Sequence, residues 1–358
     1  MRKSETAGSG QAGLRQVAER AGISVATASA ILSASRSNTR FSAGTRERVL
    51  NAAQELRYHP NALARALTGQ PTRTLGVLFG LERASVAVAN PYIFTVLQGI
   101  VAAAAEARYN VTLFTEPWHN AALSAGAVRD RRTDGVIVIA PSLDSDIISC
   151  LAEFEIPMVS IATPAEEGLA PSVDVDNVAG ACLATEHLLA LGHRRIAHIM
   201  GDINLRSGIE RRDAFLATMA KANMTVPTEY VLPGIYSFHY GYECALQLLA
   251  LPSPPTAIFA ASDNIAQGVL KAAQDRNISV PERLSVIGFN DLPEEPIFDP
   301  PLTTIRQPLT EIGQEAARLL LRRIQSEPVA LRANLFPPTL VLRASTAPPR
   351  DERHHGET

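Results

Sequence analysis

Cysteine is scarce: only Cys150, Cys182 and Cys244 occur in 358 residues, far apart and with no CxxC pair. That excludes a disulfide framework and a cysteine zinc knuckle, and it reads as small buried hydrophobes in a reducing compartment. Aromatic residues make up 5% of the chain, with a single tryptophan, Trp118. No apolar run approaches the roughly 18 residues that a membrane-spanning helix needs. The opening MRKSETAGSGQAG is polar and glycine-rich, without the apolar core of a secretory signal, so the sequence reads as cytoplasmic. Also missing are GxGxxG after a strand, GxxxxGK[ST], HExxH and GxSxG, which removes the common signatures of dinucleotide, phosphate, metalloprotease and serine-hydrolase chemistry. No catalytic residue and no cofactor is expected. His187, His193 and His198 sit around a helix end at Gly192 and a following strand, positions that suit packing better than a metal.

What is present is a soluble composition, 46% hydrophobic and 19% charged, with an uneven charge distribution. Residues 1–70 hold ten Lys/Arg against four Glu, a net +6; the rest holds 23 basic against 32 acidic residues, a net −9. A basic head on an acidic body fits a chain whose head alone meets phosphate, although a merely solvated basic surface gives the same count.

Residues 14–69 read as short helices. LRQVAERA places Leu14, Val17, Ala18 and Ala21 on one face, and GIS breaks the pattern. Ser24 is a good N-cap for VATASAILS. TRERVLNAAQELRY then repeats an apolar stripe through Val49, Leu50, Ala53 and Leu56, and Pro60 opens NALARALTG. Gly22 is expected in a tight turn where a side chain would clash between two crossing helices. Two helices so joined follow helix-turn-helix logic, with the second entering the DNA major groove by its N-terminal end. By itself that pattern also arises by chance in helical proteins.

From residue 73 the chain alternates short apolar strands (RTLGVLF, NVTLFT, DGVIVIA, IPMVSIA, RRIAHIM, AIFAA, LSVIGF) with amphipathic stretches such as FTVLQGIVAAAAEARY, AGACLATEHLLALG and YGYECALQLLAL. Such alternation predicts an α/β fold of doubly wound parallel sheets. The length, and a pattern that restarts near residue 175, predict two lobes.

The head segments LRQVAERAGISVATASAIL and TRERVLNAAQELRYHPNALARAL resemble the headpiece of the LacI/GalR transcriptional regulators. Residues 73–346 resemble that family's sensor, a two-lobed domain with the periplasmic-binding-protein fold, through RTLGVL, NPY (90–92), VDVDN, LATEHLLALGHRRIAHI, ERRDAF, PTAIFAASD, VPERLSVIGFND and PPLTTIRQP. The resemblance implies a sequence-specific DNA-binding regulator, a repressor by preference, working as a homodimer on a near-palindromic double-stranded operator, with a small-molecule, carbohydrate-like effector between the lobes. It divides the chain into a head (1–59), a hinge helix and linker (60–72) and a sensor (73–346). Lobe one is expected over about 73–173 and 303–330, lobe two over about 174–302 and 331–346, and a disordered tail over 347–358.

The same resemblance implies roles for single residues. Ser24 caps the reading helix, Val25 and Ala26 reach base edges, Thr27 and Ser29 hold phosphates, and Tyr58 and Asn61 do so near the hinge. Leu67, with Ala64 beside it, wedges into the minor groove and kinks the duplex. Ala30 occupies a position where many relatives carry a base-reading Arg or His; alanine can touch a thymine methyl but makes no bidentate guanine contact. The loop SASRSNTRFS is longer than the family's usual turn, and its Arg36 and Arg40 are either extra phosphate contacts or solvated. Ligands of open α/β sheets bind beyond the carboxyl ends of strands. Asp263 and Asp291 stand there, and Arg211, Tyr236, Asn90 and Tyr92 complete the expected effector site. Ala162 replaces an acid of some sugar-responsive relatives, and Trp118 is expected near the cleft mouth. A transporter's solute-binding protein would share the sensor fold but not the basic head.

Overall fold

The computed structural model describes residues 13–32, 41–58, 71–80, 90–163, 168–292 and 298–350. The chain divides after Thr72 into two compact units. In the first, α1 (Leu14–Ala21), α2 (Val25–Leu32) and α3 (Ala43–Glu55) enclose a core of Val17, Ala21, Ile31, Val49, Ala52 and Ala53. Ala18 is buried as well. In α3 the buried face runs through Val49, Ala52 and Ala53, while Leu50 is 51% exposed, so the expected stripe is shifted at that position.

Gly22 needs a different explanation from the one the sequence suggests. A Cβ built there meets nothing within 4 Å, but the residue has φ +68°. It is the left-handed C-cap of α1, and Ile23 N–H returns to Ala18 O at 3.0 Å. Glycine adopts that backbone without the steric cost of a Cβ.

In the second unit two six-stranded sheets form. The first contains β1 (Thr74–Phe79), β2 (Asn110–Leu113), β3 (Gly135–Ile139), β4 (Met158–Ile161) and β5 (Ser172–Val175). Between them run α4 (Pro91–Glu106), α5 (Ala121–Arg129) and α6 (Ile147–Glu153). Then come α7 (Asn177–Ala190), β6 (Ile196–Asp202), α8 (Arg206–Lys221), β7 (Val231–Gly234), α9 (Phe238–Leu249), β8 (Ala257–Ala260), α10 (Asp263–Asp275), β9 (Ser285–Asn290) and β10 (Thr303–Arg306). The chain ends with α11 (Leu309–Ile324), β11 (Ala333–Phe336) and β12 (Thr339–Val341).

The sheet orders are β11-β5-β4-β3-β1-β2 and β12-β10-β9-β8-β6-β7. The first is parallel throughout; in the second only β12 is antiparallel, to β10. Strands β3, β4, β5, β8 and β9 are buried along their length, as sheets covered by helices on both faces require.

The ladders redraw the lobe limits expected from sequence. β10 belongs to the second sheet, pairing Thr303–Arg306 with Ile287–Asn290, whereas the sequence places 303–330 in lobe one. β11 pairs with β5 in the first sheet, whereas the sequence places 331–346 in lobe two. Asp174 and Val175 close β5 and so stand in lobe one. These strands are four residues long, and short apolar runs do not reveal which sheet they join; only the hydrogen-bond partner decides.

Candidate functional site

At the carboxyl ends of β8 and β9, and along α8 behind them, a set of polar side chains is drawn together. Arg211, on α8, is 4% exposed. Its Nε and Nη2 donate to Asn177 Oδ1 at 2.9 and 2.8 Å, and its Nη1 donates to Ala261 O at 2.6 Å. The guanidinium carbon lies 3.6 Å from the Phe289 ring centroid and 5.9 Å from that of Tyr236. The plane is therefore fixed by an aromatic face below and hydrogen bonds around its edge.

Tyr236 hydrogen-bonds Ser207 through its hydroxyl at 2.8 Å, and its backbone carbonyl accepts from Asn264 Nδ2 at 3.2 Å. A Cβ on Gly201 would come within 2.2 Å of the Tyr236 ring, so glycine there leaves room for it. From lobe one, Asn90 caps α4 by accepting from Tyr92 N at 3.0 Å. Tyr92 follows in the first turn. Its phenol is pushed well above the usual range by burial, with Asp174 and Tyr236 adding to the rise and Arg211 opposing it. Tyr92 on lobe one thus lies within electrostatic reach of Asp174, Arg211 and Tyr236.

Asp263 is buried at the start of α10, accepting from Thr304 Oγ1 at 2.5 Å and from Asp291 N at 2.6 Å. Burial outweighs those bonds and raises its carboxyl to about 6. Asp291 lies at φ +55°, and its two oxygens accept from Arg306 Nε at 2.6 Å and Arg343 Nη2 at 2.5 Å. Its carboxylate is committed to two arginines. Its neighbour Asn290, which the sequence reading passes over, is buried, and its Oδ1 accepts from Gln307 Nε2 at 2.7 Å. Its Nδ2 has no partner among the described residues. Two polar residues follow VIGF, and only the strand register shows that the first of them closes β9.

Sequence reasoning also misses Asp174. Its side chain is 7% exposed, and burial raises its carboxyl to about 7. Asn177, which accepts from Arg211, is missed too, although both lie in the VDVDN segment. Trp118 donates to Asp146 Oδ1 at 2.7 Å and packs beside the Leu78–Phe114 cluster of lobe one.

The histidines are occupied structurally. His193 contacts Thr256, Ser285 and the Ala347 carbonyl, and His187 contacts Thr346. His198 bonds the Phe259 carbonyl through Nδ1 at 2.9 Å and stacks on that ring, while its buried Nε2 has no partner among the described residues. Among the described residues no group of His, Cys, Asp or Glu is arranged to hold a metal ion, and no helix is long and apolar enough to cross a membrane.

In the first unit, Ser24 accepts from Thr27 N at 3.1 Å and meets the Thr27 hydroxyl at 2.8 Å, capping α2. Ala28 and Ile31 anchor that helix to the core. Ser24, Val25 and Ala26 are exposed, with Thr27, Ser29 and Ala30 half-buried, so the N-terminal turn presents its side chains outward. Tyr58 packs beside the head core. Asn61, Ala64 and Leu67, like Arg36 and Arg40, lie outside the described residues.

Residues 13–61 match the model of the bacterial regulatory proteins of the lacI family, and residues 185–346 match a periplasmic binding protein-like domain. The chain is 30% identical over 337 residues to the HTH-type transcriptional repressor PurR of Photobacterium profundum, covering 93% of this chain and 98% of that protein. It is 32% identical over 347 residues to the repressor CytR of Escherichia coli K12, covering 96% and 98%. Among solved structures it is similar to the lac repressor dimer bound to operator and the anti-inducer ONPF, with a TM-score of 0.79 and 26% identity over 94% of this chain and all of that one. The helical head, the two parallel sheets and these matches together place the chain in the LacI family of DNA-binding transcriptional repressors.

Proposed function

We propose that the protein is a sequence-specific repressor whose operator affinity is set by a small molecule held between the two lobes. The observation that carries this reading is the buried Arg211, oriented on lobe two by Asn177, Ala261 and Phe289, with Tyr92 of lobe one within its electrostatic reach. Tyr92, Arg211, Tyr236 and the Asn290 amide supply hydrogen-bonding groups beside aromatic faces, which suits a neutral, hydroxyl-rich, carbohydrate-like ligand. Asn90 holds Tyr92 in place. Asp263 and Asp291 support the site from behind: Asp263 ties β10 to the loop after β9, and Asp291 ties that loop to Arg306 and Arg343.

The head contributes Val25 and Ala26 as base-reading positions, Thr27 and Ser29 as phosphate contacts, Ser24 as the cap and Ala30 as an apolar contact in place of a base-reading arginine. Tyr58, Asn61, Ala64 and Leu67 take the backbone and minor-groove roles given above. Two copies related by a two-fold axis read the two halves of a near-palindrome, as the operator-bound lac repressor dimer supports by similarity. The effector acts only through its differential affinity for two lobe arrangements, and by linkage the operator changes effector affinity by the same factor. The reading is of binding without turnover, in the cytoplasm where the chromosome lies.

Selection of bound duplexes from a random pool by the full-length protein tests it. A near-palindromic site with a central pyrimidine–purine step is the expected result. Weak binding that is independent of sequence and collapses with salt would overturn the operator reading. A metabolite panel screened on the selected duplex then tests effector control; consumption of any ligand that binds would overturn the non-enzymatic reading.

A further inference from the structure

Asp174 lies on β5 of lobe one, while Asn177 begins α7 and Arg211 lies on α8 of lobe two. Val175 N–H donates to Asp174 Oδ1 at 2.7 Å, and Asn177 Nδ2 donates to Asp174 Oδ2 at 3.1 Å. The same Nδ2 donates to Glu210 Oε2 at 3.2 Å, and Glu210 is paired with Arg206 at 2.9 Å. With both carboxylates on its nitrogen, the Asn177 amide has one orientation available: its oxygen faces Arg211 Nε and Nη2. An amide turned the other way would set N–H against N–H on the arginine and oxygen against carboxylate on the far side.

We propose that Asp174 is a positioning residue of the effector site, which through the Asn177 amide orients Arg211 from the opposite lobe and makes that orientation depend on protonation. The inference rests on the reading of Arg211 as an effector residue.

The groups facing this network are Tyr92 from α4, Glu210 and Arg211 from α8, and Tyr236 beside Tyr92. Burial pushes the Asp174 carboxyl up; the Val175 N–H, Arg211 and Asn177 pull it down, Glu210 adds to the rise, and the balance stands at about 7. Above that pH the carboxylate accepts from Asn177 and the relay is locked. Below it, a proton on Oδ2 removes that acceptor, leaves Glu210 and the Val175 carbonyl (3.4 Å) to hold the nitrogen, and loosens the amide against Arg211. His198 also senses Arg211, but burial pushes it down to about 4, outside that range.

The test uses the full-length protein with ¹⁵N-labelled arginine and no effector. The Arg211 Nε–H resonance, assigned by its loss in Arg211→Lys, is followed from pH 5.5 to 8.5. The expected result is a single-step movement with a midpoint near 7 that disappears in Asp174→Asn and persists in Glu210→Gln. Asn177→Ser, which keeps Asp174 and Arg211 in place but removes the amide that joins them, should also abolish the pH-dependent movement, so the outcome does not depend on Asp174→Asn folding. A flat wild-type resonance, or a titration that survives both Asp174→Asn and Asn177→Ser, would overturn the relay. Loss of the movement in Glu210→Gln would assign it to Glu210 instead. Whether Arg211 touches an effector is decided by the metabolite panel on operator-bound protein, so the two readings fail separately.

Discussion

Arg211 and Phe289 stack with the guanidinium carbon 3.6 Å from the ring centroid, one from a helix of the second sheet's cover and the other from the sheet itself. A cation held on an aromatic face is oriented without a direct counter-ion, and its remaining N–H groups stay available to a ligand.

Replacing Arg211 by methionine should abolish any metabolite response while operator binding persists. The Asn177 oxygen and Ala261 carbonyl would each lose a donor in a buried setting, at a cost of about 1–3 kcal/mol apiece. Operator titration with and without the metabolite panel, beside a thermal melt, measures both effects. A variant that keeps the wild-type metabolite response would remove Arg211 from the effector site.

Ala30→Arg should change what the head reads rather than how firmly it holds DNA. A bidentate guanine contact contributes on the order of 1–3 kcal/mol of discrimination, or roughly 5- to 150-fold between bases at one position. Repeating the pool selection with this variant should show a new guanine at one symmetric pair of positions. An unchanged site would mean that residue 30 does not face a base.

Gly22→Ala meets open space and leaves only backbone strain at φ +68°. The head should lose about 1–2 kcal/mol, with the sensor's melting transition unmoved. Differential scanning calorimetry resolves the two units. A neutral substitution would show that the turn relaxes without cost.

Stability should depend on pH through Asp174 and Asp263. Their carboxyls stand at about 7 and about 6, above the unfolded value of about 3.9. The folded protein therefore holds these protons more tightly than the unfolded chain. The resulting stabilisation is complete below about pH 4 and is lost as pH rises through 6 and 7. Asp174→Asn and Asp263→Asn cannot ionise, so their melting temperatures should gain on wild type as pH rises from 5 to 8. For each pH step of one across that range, a carboxyl kept protonated only by the fold costs wild type up to about 1.4 kcal/mol, or roughly 3–5 °C. A gap that stays constant with pH would contradict the raised values.

The local patterns are legible because they depend on neighbours in the chain. Ser24 caps α2 whatever the rest of the molecule does, and the alternation of apolar strands with helices announces wound parallel sheets. The resemblance carried by AGIS, VDVDN and PPLTTIRQP is enough to expect a basic DNA-reading head on a two-lobed sensor. Even at this level the reason for Gly22 is not visible, since the spacing that marks a turn is the same whether glycine relieves a clash or allows a positive φ.

Tertiary structure decides which polar residues share a site. Asp263 and Asp291 occupy the expected strand ends, but their oxygens are claimed by Thr304, the Asp291 amide, Arg306 and Arg343, residues as much as 52 positions away in sequence. Asn290 faces a different environment from its neighbour because β9 ends there. Asp174, spaced like an ordinary strand residue, is joined to Arg211 only because the chain leaves lobe one at Asp176 and begins lobe two with Asn177. Hydrophobic period and capping depend on near neighbours and can be read along a line; hydrogen-bond partners and burial depend on which distant segments the fold brings within about 3 Å of one another.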